Sequence, residues 1–185
     1  MDRWTIGVEA WVIQDGNYPD FEAGQEAVFG IELYPDELER ADPADPSAAV
    51  VEGSRYALRG RLSFVRDDAW VVDVGISCYC NRPLPAGVGA GDGVAGEAYL
   101  AIEGPAVYDE AFFRSAPPLR YSWRIERIRL ETTPWVEVGP RSFARDESRV
   151  GYRDVDRTDA CDDDDGHASY LFDCLLVGGP SRRPG

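Results

Sequence analysis

Apolar and polar residues alternate one by one along most of this chain, and that period constrains the fold more than any other feature of it. A period of two places successive side chains on opposite faces of a strand, whereas a helix needs a period near 3.6. Trp4, Ile6, Val8, Ala10 and Val12 share one face of a first predicted strand, and Asp15-Gly16-Asn17 with Pro19 marks the turn after it. Ala27, Phe29, Ile31 and Leu33 share one face of a second, which Pro35 is expected to end. The acidic, proline-punctuated run from Pro35 to Pro46 reads as a surface loop with at most one helical turn around Asp36 to Arg40.

Tyr56, Leu58, Leu62 and Phe64 line one face of the next strand, with Arg55, Arg59 and Arg61 on the wet side. A bend at Arg66-Asp67-Asp68 suggests a hairpin into Trp70 to Cys80, read as one central strand. Trp70, Val72, Val74, Ile76, Cys78 and Cys80 share its core face, with Val71, Asp73, Ser77 and Tyr79 opposite. Arg82 to Gly93 is a Pro/Gly-rich loop, Val94, Ala98, Leu100 and Ile102 mark a fifth strand, and Asp109 to Arg114 suggests a short helix. Beyond it Tyr121, Trp123 and Ile125 are followed by Ile128 and Leu130. The apolar set thus changes parity, which predicts a β-bulge near Glu126-Arg127. Further strands are expected near Trp135 to Val138, Arg149 to Val155 and Tyr170 to Val177.

Seven to nine strands, at most one or two short helices and regularly spaced turn clusters predict an all-β fold. An antiparallel barrel, closed or partly open, is preferred to a sandwich. One domain over residues 1–177 with a flexible tail over 178–185 fits the length. A hydrophobic fraction of 44% and an aromatic fraction of 11% are those of a globular chain, so the net charge of −15 implies a solvated, self-repelling surface and not disorder. A pI near 4.4 disfavours duplex nucleic acid and anionic membranes, whose phosphates need a basic footprint. No stretch approaches the roughly 20 apolar residues of a membrane helix, and the start Met1-Asp2-Arg3-Trp4 has no apolar leader core, so the cytoplasm is the expected compartment.

Cys78, Cys80, Cys161, Cys174 and His167 are every thiol and the one imidazole, which makes a zinc site the sharpest chemical hypothesis. Against it, Cys78, Cys80 and Cys174 fall on core faces of predicted strands, where a free thiol acts as a small hydrophobe. Asp159 and Asp162 to Asp165 before Gly166 invite a calcium reading, but an EF-type loop aligned on that glycine would begin at Cys161 and end at Phe172, neither a carboxylate. A solvated acidic loop is the expectation. An acidic loop is the wrong surrounding for a cysteine nucleophile at Cys161 beside His167. With no Gly-x-Ser-x-Gly, phosphate loop or dinucleotide fingerprint either, no catalytic residue and no cofactor is expected.

Charge is unevenly spread. Residues 1–113 carry 7 Arg against 21 acids, a net of −14; residues 114–157 carry 10 Arg against 7 acids, a net of +3. That exception contains Tyr121, Trp123, Arg124, Arg127, Arg129 and Trp135, an arginine and aromatic mixture used in single-strand nucleic-acid grooves and protein interfaces. The competing reading pairs these arginines with carboxylates on neighbouring strands. Three functions follow in order of preference: a protein-interaction module whose acidic face meets a basic partner, a barrel holding a small molecule, and a single-strand nucleic-acid barrel, which the overall charge opposes.

Overall fold

In the computed structural model, which describes residues 3–42, 45–66, 69–103 and 115–181, the alternating segments are strands. The first, β1 (Arg3–Glu9), carries Trp4, Ile6 and Val8 inward. The strand stops there, because Ala10–Gln14 forms a short helix, α1, that buries Ala10, Val12 and Ile13. Strand β2 (Glu26–Ala41) runs straight through the stretch expected to be a loop. Pro35 does not end it. Pro35 pairs with Ala98 and Glu37 with Glu97, which leaves Asp36 as the extra residue of a bulge, one of the few strand positions proline occupies. The bulge flips parity, so Ile31 and Leu33 face the core before it and Leu38 packs on the core after it.

The next strand, β3 (Ser47–Glu52), is exposed almost throughout and pairs with β4 (Arg55–Arg66). The stretch read as one central strand is a hairpin of β5 (Ala69–Asp73) and β6 (Ser77–Cys80). Trp70 faces Cys80 and Val72 faces Cys78 across it, with a tight turn at Gly75. Every pair joins residues of like parity, so the alternation passes through the turn unbroken and hides it. Both hairpin faces are buried: Trp70, Val72, Cys78 and Cys80 in the main core, Val71 and Tyr79 in a second cluster with Ala116 and Leu119.

Strand β7 (Gly93–Ile102) pairs with β2 on one edge and with β4 on the other. Strand β8 (Arg120–Glu131) carries the predicted bulge: Arg127 faces Asp173 and Ile125 faces Cys174, so Glu126 is the extra residue. A separate ribbon, β9 (Trp135–Gly139) with β10 (Ser142–Arg145), stands apart from the large sheet. The short β11 (Tyr152–Val155) and the long β12 (Ser169–Ser181) flank β8. The last strand continues past Val177, with Ser181 opposite Arg120. The helix expected over 109–114, the bend residues 67–68 and the tail residues 182–185 lie outside the described residues.

The pairings close a ring of eight strands, β8-β12-β1-β7-β4-β5-β6-β2 and back to β8, in a sheet that is antiparallel apart from short parallel contacts of β1 with β7 and β2 with β6. The β2–β7 ladder crosses this ring and belongs to both halves of it, so the closure is divided and not that of a simple barrel. Its interior is filled by Trp70, Trp123, Tyr56, Tyr170, Phe21, Phe29 and Phe172, all fully buried. Trp123 stacks on Phe29 with ring centres 5.6 Å apart. Each such side chain contributes about 1.5–3 kcal/mol by leaving water. Among the described residues no helix is long and apolar enough to cross a membrane.

Candidate functional site

Two concavities meet on the outer half of β2, where the bulge turns successive acids outward. Tyr34 precedes the bulge on the solvent side; after it, Glu37 and Glu39 take that side and Leu38 turns in. The first cavity, about 660 Å³, is lined by Asp36, Glu37, Glu39, Arg55, Gly96 and Glu97. Four carboxylates thus face one guanidinium. Arg55 bridges Asp36 at 2.5 Å and Glu97 at 2.8 Å and lies over the Tyr99 ring at 5.8 Å. Glu37 and Glu39 are exposed and form no ion pair with any described residue.

The second cavity, about 470 Å³, shares Asp36 and is otherwise lined by Tyr34, Pro35, Leu38, Trp70, Arg82, Pro83 and Pro85. It lies where β2 and β6 part. Ile31 and Glu32 pair with Cys78 and Tyr79; beyond them β2 continues while the chain leaves β6 at Cys80. The far wall is held in place, because the Trp70 indole donates to the Arg82 carbonyl at 2.9 Å and the Arg82 amide donates to Cys80 Sγ at 3.4 Å. Further along, Arg40 and Asp92 pair at 3.1 Å. Burial, and next to it the Glu32 carboxylate, pushes the Tyr34 phenol well above its ordinary range, so it stays a neutral donor. Arg82 lies over its ring at 5.8 Å.

No family model, curated protein or solved structure matches this chain. Its function is therefore argued from the geometry of its own side chains.

The arginine and aromatic residues expected to form a binding surface are distributed differently by the sheet. Tyr121 and Trp123 face the core, where Trp123 donates to the Phe29 carbonyl at 3.2 Å and the Tyr121 oxygen accepts from the Ser77 amide at 2.6 Å. Odd-numbered positions of β8 point inward before the bulge, no matter how suited to stacking their rings are. Arg124 pairs with Glu26 at 2.7 Å, Arg127 binds Asp154 with two nitrogens, and Arg129 reaches Asp173 at 2.7 Å. These are the cross-strand pairs of the competing reading. Trp135 is exposed but remote from them in role: Arg145 lies 4.1 Å over its ring, and both donate to Asp164.

The five metal candidates are spread over the fold. Cys78 and Cys80 sit on β6 and Cys174 on β12, all buried, while Cys161 is exposed beside the acidic loop that carries His167. Burial pushes the Cys80 thiol up to about 12 and raises Cys78 and Cys174 as well. Among the described residues no group of three or more His, Cys, Asp or Glu side chains is placed to hold a metal ion. The acidic loop is ordered by its own bonds: Asp163 accepts from the Tyr170 hydroxyl at 2.8 Å, Asp164 accepts from Arg145 at 2.6 Å, and Asp164 and Asp165 adopt positive φ.

In the sequence the β2 acids are hidden as a site, because Pro35 looks like the end of a strand. A signal was present, since the apolar positions change parity between Leu33 and Leu38 just as they do around Glu126.

Proposed function

We propose that this chain is a protein-interaction module that binds a basic protein partner through the acidic outer face of β2 and β7. The observation that carries the reading is the cavity in which four carboxylates meet one guanidinium, with Glu37 and Glu39 left without an ion pair among the described residues. A fixed sheet bearing unneutralised acids raises the encounter rate with a cationic surface and rejects anionic ones. The arginines of β8 are engaged by Glu26, Asp154 and Asp173, which favours the acids, not the arginines, as the surface with charge to offer.

The test is a pull-down at physiological salt comparing the wild-type bait with Glu37→Lys/Glu39→Lys. Wild-type bait should enrich proteins of high pI that the reversed bait loses at least tenfold. Equal capture by both baits, or enrichment of acidic proteins, would contradict the reading.

A further inference from the structure

Strand β2 has a neighbour on each side at Ile31 and Glu32, β7 and β6 respectively. From Leu33 onward the β6 side carries no strand among the described residues. The wall facing that edge contains Pro83 and Pro85, which have no N–H and cannot extend the ladder themselves. The cavity on the β6 side of β2 is walled by Leu38, Trp70 and three prolines, with Arg82 laid over the Tyr34 ring; across β2, toward β7, lies the acidic cavity, and Asp36 is common to both. The Trp70–Arg82, Arg82–Cys80 and Arg40–Asp92 contacts tie the loop to the sheet, and a wall held by its own chain lowers the ordering cost of binding.

From this we infer that the cleft between β2 and the Arg82–Pro85 segment receives an extended peptide segment in which apolar and cationic side chains alternate. The inference rests on the basic-partner reading and adds the form of the partner. An extended segment laid along the open edge sends alternate side chains to opposite sides. One set enters the cavity of Tyr34, Leu38, Trp70, Pro83 and Pro85; the other meets Asp36, Glu37 and Glu39. The manner of holding a cation is already displayed by the chain itself, because Arg55 lies between Asp36 and Glu97 with Tyr99 beneath it.

Two synthetic octapeptides of equal charge separate this inference from the reading it rests on, one alternating leucine with arginine and the other alternating serine with arginine. Binding is followed by calorimetry at physiological salt. The leucine peptide should bind wild type about tenfold tighter than the serine peptide, a difference of about 1.4 kcal/mol. Pro83→Trp, which fills the apolar cavity from an exposed position, should erase that preference and leave the serine peptide unaffected; Pro85→Trp gives the same comparison from a second position. Equal affinities for the two peptides, or a preference that survives both substitutions, would overturn the cleft while leaving a basic partner standing. Failure of both peptides to bind would overturn the cleft and the basic partner together.

Discussion

Glu103 is a carboxylate taken almost wholly out of water: its side chain is 1% exposed. Its Oε1 accepts from Arg120 Nε at 2.7 Å and from the Tyr18 hydroxyl at 3.0 Å. Burial, then the charge of Glu103, pushes the Tyr18 phenol far above its ordinary range, so it acts as a permanent donor to that carboxylate. Gly30 is part of the same arrangement, since a Cβ there would run into the Glu103 carboxylate. Removing one partner of a buried pair strands the other charge in a poor solvent. Arg120→Met should therefore lower the unfolding free energy by about 3–5 kcal/mol. Adding Glu103→Gln to it should recover a large part, because the stranded charge is gone. Urea unfolding of the single and double variants measures both; a single-variant loss below about 1 kcal/mol would show that Glu103 finds water or another partner.

Among the elements, the bulge of β2 sets which side chains line the outer face of the sheet. It turns Glu37 and Glu39 outward and Leu38 inward, and it depends on Gly96 across the ladder. Gly96 has φ +143°, and a Cβ there would penetrate the Glu37 carbonyl. Gly96→Ala should thus destabilise the protein by at least the roughly 1–3 kcal/mol of a strained backbone position. Thermal unfolding should report it, and an unchanged midpoint would mean that the ladder opens there at no cost. The same element shows which parts of the fold were legible. Alternation identified the inward residues of β1, β7, β8 and β12 and those of β4 up to Leu62, because burial on one sheet face writes a period of two into the sequence. A register shift after Leu62 turns Phe64, expected on that same face, into the second cluster with Val71. The parity change located the β8 bulge at Glu126. Turns that preserve parity left no such mark, so β5 and β6 read as one strand. Pro35 masked β2, because a proline in a bulge and a proline ending a strand look alike in sequence. Strand β3 was invisible, since Ala48, Ala49, Val50 and Val51 form an exposed edge without alternation.

For the molecule as a whole, the net charge of −15 is not evenly available. Arginines of β8 and β10 engage acids of β2, β11, β12 and the loop over 159–167, so the mildly basic stretch is largely neutralised within the fold. That pairing joins positions far apart in sequence, such as Glu26 with Arg124, and a charge count along the chain cannot see it. The outer face of β2 and β7 is left with acids in excess beside an apolar cleft. The exposed apolar residues Val138 and Phe143 of the β9–β10 ribbon form a separate territory. Mapping the alternating leucine–arginine peptide onto the chain by amide chemical shifts in a nuclear magnetic resonance titration tests the account most directly. The account predicts saturable shifts concentrated at Tyr34, Asp36 to Glu39, Arg82, Leu84 and Glu97, with the β8 arginines and the ribbon undisturbed. Shifts centred on Arg124 to Arg129 or on Trp135 to Phe143, with β2 silent, would contradict it.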